Sequence, residues 1–119
     1  MFINLLRSTL RKESALAELQ VDIQDGFEDD LVVVRVNGTE VFREEGVTTK
    51  LLLGGTDFTS GNAPHVQVPE GSVDVEVLVP SKNLSRTISV QASQKTYLGV
   101  SIQAGKIHYI ELDKPFGYA

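Results

Sequence analysis

The chain has 119 residues, no cysteine, and 11 basic against 16 acidic residues, for a net charge of -5. That length is one ordinary domain, and the lack of thiols excludes a cysteine nucleophile, a thiolate zinc site, an iron-sulfur cluster and a disulfide-stapled scaffold. The acidic balance argues against a general phosphate-backbone binder, so no nucleic-acid partner is expected.

Phe2, Leu5, Leu6, Leu10, Leu16 and Leu19 recur at three-to-four spacing, with Arg7, Arg11, Lys12, Glu13 and Glu18 mostly elsewhere on the wheel. This predicts an amphipathic helix from about Ile3 to Leu19. Gln20 to Gln24 blur its end, because Val21 and Ile23 alternate with polar residues as a short strand would. The opening apolar run is too short for a signal peptide, and no stretch reaches the roughly 20 apolar residues that cross a bilayer. No membrane span and a cytoplasmic location are therefore expected.

After Asp30 the period changes from that of a helix to that of a strand. Val32, Val34 and Val36 share one side, and Asn37-Gly38 supplies the two positive-φ positions of a type I′ hairpin turn leading to Thr39–Phe42. An apolar run from Val47 to Leu53 precedes a loop of twelve residues, Gly54 to His65. The clearest strand follows, with Val73, Val75, Val77 and Val79 on one face and Asp74 and Glu76 on the other. Leu84, Ile88 and Val90 line the next strand, and Leu98, Val100 and Ile102 another; Ala104-Gly105-Lys106 turns the chain into Ile107–Leu112. Seven to eight short strands at such turn spacings predict a mainly β fold, a single antiparallel β-sandwich of immunoglobulin-like or prealbumin-like type with an N-terminal amphipathic helix. Residues 1–24 form the helix and linker in this reading, and 25–119 the sandwich.

Val34 to Val41, with its Asn-Gly turn, and Val68 to Val77, where Pro69-Glu70-Gly71 launches an alternating strand, resemble the PEGA-type and transthyretin-like (prealbumin-like) modules of bacterial proteins. The resemblance implies a non-catalytic binding or scaffolding module, with no active-site residues to transfer.

Chemistry-bearing residues are sparse. His108 shares its strand side with Ile110 and Leu112, which predicts a buried structural histidine. The acids Asp22, Asp25, Glu28, Asp29 and Asp30 read as a solvated linker because their spacing does not fit a calcium loop. There is no HExxH, no GxSxG, and no GK[ST] after Gly54-Gly55, so no catalytic set, metal or cofactor is expected. The long loop offers the candidate binding residues Asp57, Phe58, Asn62 and His65, since rigid sheets display recognition groups on loops. Leu31, Val33, Leu52 and Leu78 are apolar on the side that alternation assigns outward, which makes them candidate interface residues. Two apolar faces on a strand require a cover, either the chain's own helix or a dimer partner.

The expected function is a non-catalytic binding or adaptor module that engages an unknown protein partner or itself, as a homodimer. Two alternatives remain open: a small hydrolytic or carbohydrate-acting enzyme using Asp57 and His65 as acid or base, and a peripheral membrane-surface protein anchored by residues 2–19 through Arg7, Arg11 and Lys12.

Overall fold

A computed structural model describes residues 16–52, 55–58 and 64–117, with the side chains of 50–52 and 55–58 outside that description. The strands, in chain order, are β1 (Leu16–Ile23), β2 (Asp30–Val36), β3 (Thr39–Val47), β4 (Thr49–Leu52), β5 (Gly55–Phe58), β6 (His65–Pro69), β7 (Gly71–Val79), β8 (Leu84–Ala92), β9 (Lys95–Gln103) and β10 (Lys106–Leu112), with one 3-10 turn at Pro80–Lys82. They form a first sheet ordered β10-β9-β1-β6, a second sheet ordered β3-β2-β7-β8, and a two-stranded ribbon β4-β5.

One cluster of side chains belongs to both four-stranded sheets. The first sheet contributes Ala17, Leu19, Val21 and Ile23 from β1, Val68 from β6, Leu98 and Val100 from β9, and Ile107 from β10. From the second sheet come Val32, Val34 and Val36 on β2, Val73 to Val79 at alternate positions on β7, and Ile88, Val90 and Ala92 on β8. The fold is therefore mainly β, with two sheets over a shared interior. Valine dominates because a β-branched side chain fits a pleated, half-buried surface, and each one fully buried contributes about 1.5 to 3 kcal/mol relative to exposure.

The Asn37-Gly38 turn forms as expected, with φ of 49° and 84° at its two central residues. Glycine takes this backbone freely and asparagine tolerates it, and the resulting twist matches that of the flanking strands. Along β3 two one-residue bulges interrupt pairing with β2, one between the Asp30–Val47 and Val32–Glu44 pairs and one between the Val34–Phe42 and Arg35–Glu40 pairs. The second bulge places both Val41 and Phe42 against the core.

Four expectations need correction. The helix predicted to Leu19 does not extend over residues 16–19, which are in β1; residues 1–15 lie outside the described residues. The alternation Ala17, Leu19, Val21, Ile23 against Glu18, Gln20 and Asp22 governs here, because β6 and β9 on either side satisfy the backbone of β1 as a strand. The segment set apart as helix and linker thus supplies an inner strand of the first sheet. That sheet is also not wholly antiparallel, since β1 and β9 run parallel from Glu18–Lys95 to Ile23–Val100. The span from Gly54 to His65 is not all loop: Gly55–Phe58 pairs with Thr49–Leu52. Finally, His108 is exposed. The two-residue turn at Ala104-Gly105 pairs Lys106 with Gln103 and Ile107 with Ile102, so Ile107 faces inward and His108 outward.

Between β1 and β2 the chain passes close to β9. The amide of Ile102 donates to the Asp25 carbonyl at 2.8 Å, and that of Gln24 donates to the Val100 carbonyl at 2.8 Å. Gly26 has φ of 87°, and a Cβ there would land on the Ile102 carbonyl, 2.9 Å from its carbon. Phe27 then inserts into the core, its amide donating to Thr49 Oγ1 at 3.2 Å while the Thr49 amide donates back to its carbonyl at 3.0 Å.

Candidate functional site

The sequence candidates separate when placed on this frame. Asp57 and Phe58 lie in β5, their backbones opposite Lys50 and Thr49, while Asn62 lies outside the described residues. His65 opens β6, exposed and in register with Gln20 of β1, whose Nε2 donates to Asp22 Oδ1 at 2.6 Å. His65, Gln20 and Asp22 thus share the outer face of the first sheet. Leu52 ends β4, in register with Gly55.

Leu31, Val33 and Leu78 share the outer face of the second sheet, and Val33 pairs directly with Leu78. Val33 is only 2% exposed, flanked in its row by Arg43 and Leu78. The Leu31 amide donates to Ser81 Oγ at 3.2 Å. Val33 is thus covered within the chain, while Leu31 and Leu78 on either side of it are half-buried.

A buried charge lies at the adjoining corner. Asp30, 2% exposed, accepts hydrogen bonds from Ser81 Oγ at 2.7 Å, from the Glu28 amide at 2.8 Å and from Lys82 Nζ. Burial pushes its carboxyl upward, but the bonds from Lys82, Glu28 and Ser81 together outweigh that and hold it below the ordinary 3.8. Ser81 and Lys82 thus tie the start of β2 to the Pro80–Lys82 turn, while the Glu28 amide closes the bend just before the strand.

Exposure concentrates elsewhere, at β10. Tyr109 is 40% exposed and Ile110 56%, and with Leu16 they are the exposed large apolar side chains among the described residues. β10 is one of the two edges of the first sheet, β6 being the other. Arg86 of β8 reaches it from the second sheet, its Nη1 donating to the Ile107 carbonyl at 2.8 Å and its guanidinium lying 4.9 Å from the Tyr109 ring centroid. Sequence reading missed this arrangement because Arg86 stands 23 positions before Tyr109, and only the sheet pairing joins them.

Shallow hollows border the frame. Glu70, Ser93, Gln94, Lys95 and Asp113 line one of about 630 Å³. Asp25, Gly26, Phe27, Glu28, Thr48 and Thr49 line another of about 470 Å³. Among the described residues no group of three or more histidine or acidic side chains is placed to hold a metal ion, and no helix is long and apolar enough to cross a membrane.

No family model, no curated protein and no solved structure matches the chain.

Proposed function

We propose that the chain is a non-catalytic protein-binding module that associates with itself, on an immunoglobulin-like or prealbumin-like sandwich. The observation that supports this is the exposure of Tyr109 and Ile110, one on each face of an edge strand in unbroken register with its neighbour. A rigid scaffold that presents apolar side chains to water gains by burying them against another protein. Two four-stranded sheets over one core suit the prealbumin-like reading, as do the Asn37-Gly38 turn and the Pro69-Glu70-Gly71 step into β7.

Sedimentation equilibrium of the full chain across a dilution series tests the proposal. The weight-average mass is expected to climb from monomer toward dimer as concentration rises. A monomer mass held up to about 1 mM, where even an interaction of about 4 kcal/mol half-populates a complex, would overturn it.

A further inference from the structure

Two sheets of four strands have four edges; two are guarded by bulges, charges or prolines, and a third presents only polar side chains. β3 carries its two bulges and the charges Glu40, Arg43, Glu44 and Glu45. β6 has five residues and ends at Pro69, with Pro64 just before it. β8 has no bulge or proline, but it shows only serine, arginine, threonine and glutamine at its exposed positions, and its Arg86 reaches over to the Ile107 carbonyl of β10. Bulges, prolines, short length and inward charges are the devices that stop a sheet edge from pairing. β10, seven residues that pair with β9 without bulge or proline, differs from β8 in exposing large apolar side chains, Tyr109 and Ile110.

The free hydrogen-bonding groups of β10 follow from its pairing. In an antiparallel ladder, alternate residues turn both backbone groups toward the neighbour and the others turn both away. The Ile107 carbonyl points away from β9, because Arg86 takes it. On β9, the Val100 carbonyl and Ile102 amide are engaged by Gln24 and Asp25 on the β1 side, in agreement with that phase. Ile107, Tyr109 and Glu111 therefore face outward.

From this edge we infer that a second copy of the chain adds to it, β10 against β10, antiparallel about a two-fold axis at Ile110. This rests on the self-association proposed above and names its surface. Tyr109 of each copy pairs with Glu111 of the other, so the four backbone groups of those two residues are satisfied on both strands. Arg86 keeps its bond to the Ile107 carbonyl, whereas a register centred on Tyr109 would oppose Ile107 to Glu111 and compete for that oxygen. Ile110 meets Ile110, which covers the most exposed large apolar side chain among the described residues. On the opposite face Glu111 of one copy arrives beside Tyr109 of the other, where Arg86 already lies over the ring. Neither Arg86 nor Glu111 has an ion-pair partner among the described residues, so their charges complement across the axis. The arrangement is a closed, isologous contact.

The native chain has no cysteine, so a single introduced thiol reports the axis. Ile110 would face its copy in a non-hydrogen-bonded pair, with Cα atoms about 4.5 Å apart, within disulfide reach. Ile110→Cys is expected to cross-link into a dimer under mild oxidation, and Ser85→Cys on β8 is not. Glu111→Pro removes an outward amide while leaving the β9 ladder intact, and is expected to weaken dimerisation at least about tenfold. A dimer by sedimentation that neither cross-links at Ile110→Cys nor responds to Glu111→Pro would overturn the edge pairing and leave self-association standing. A monomer throughout would overturn both. Circular dichroism of each variant confirms that the fold under test is intact.

Discussion

Arg86 of β8 and Tyr109 of β10 bridge the two sheets at adjoining edge strands. The guanidinium lies 4.9 Å from the ring centroid, and the same group donates to the Ile107 carbonyl at 2.8 Å. A planar guanidinium can stack on a ring and hydrogen-bond in its own plane at once, which a lysine ammonium does not do. Arg86→Ala is expected to cost about 1 to 3 kcal/mol in urea unfolding, and Arg86→Lys most of that loss. Equal midpoints for Arg86→Lys and the native chain would show that the stacked geometry contributes nothing.

Asp30 makes stability depend on pH in one direction. Although burial opposes its charge, Lys82, the Glu28 amide and Ser81 hold its folded carboxyl below the ordinary 3.8. The unfolded chain thus takes up the proton at higher pH than the folded chain. The contribution is complete above the unfolded value, and falls away as pH drops through the lower folded one. Asp30→Asn is expected to cost about 1.5 to 3 kcal/mol at pH 7, with the gap from the native chain narrowing as pH falls below the ordinary carboxyl value of 3.8. Unfolding midpoints of both chains on either side of that value check it; a gap that is constant with pH would contradict the assignment.

Gly26 is fixed by sterics rather than preference. Its φ of 87° and the Ile102 carbonyl in the place of any Cβ are two separate obstacles to substitution. Gly26→Ala is expected to destabilise by about 2 to 4 kcal/mol, through displacement of Phe27 or of β9. Thermal unfolding measures it, and a loss below about 0.5 kcal/mol, the size of an ordinary surface change, would mean that the segment does not pass this close to β9.

The two type I′ hairpin turns invite a comparison. Asn37-Gly38 carries the favoured pair, whereas Ala104-Gly105 asks an alanine to hold φ of 52°. Ala104→Asn is expected to raise stability by about 0.5 to 1 kcal/mol without altering a packed side chain, because Ala104 is exposed. Unfolding midpoints decide, and no gain would place the strain elsewhere.

The valines of β7 and the Asn37-Gly38 turn were legible in sequence because alternation and turn chemistry are local. β1 was ambiguous because Leu16 and Leu19 fit a helical stripe as well as Leu19, Val21 and Ile23 fit a strand; flanking β6 and β9 settle it, and they come from some 45 and 75 residues further on. The exposed face of β10 misled by composition: His108 travels with two apolar residues, Ile110 and Leu112, yet the hairpin register sends Ile107 inward. That register was readable from Ile102 through the two-residue turn, a stronger signal than counting apolar side chains on an edge strand. Of the candidate site, the outward placing of Val33 and Leu78 was readable from alternation, while their pairing and the meeting of Arg86 with Tyr109 depend on strand order, which no local pattern encodes.

The first sheet closes over the shared interior with β1 as an inner strand running parallel to β9. Nuclear Overhauser contacts in the isotopically labelled full chain test this most directly. Backbone contacts between β1 and β9 that place Val21 beside Leu98, with the Gln24 amide protected from exchange by the Val100 carbonyl, are the predicted result. Sequential amide-to-amide contacts of helical strength across Leu16–Ile23, with no contact to β9, would contradict it.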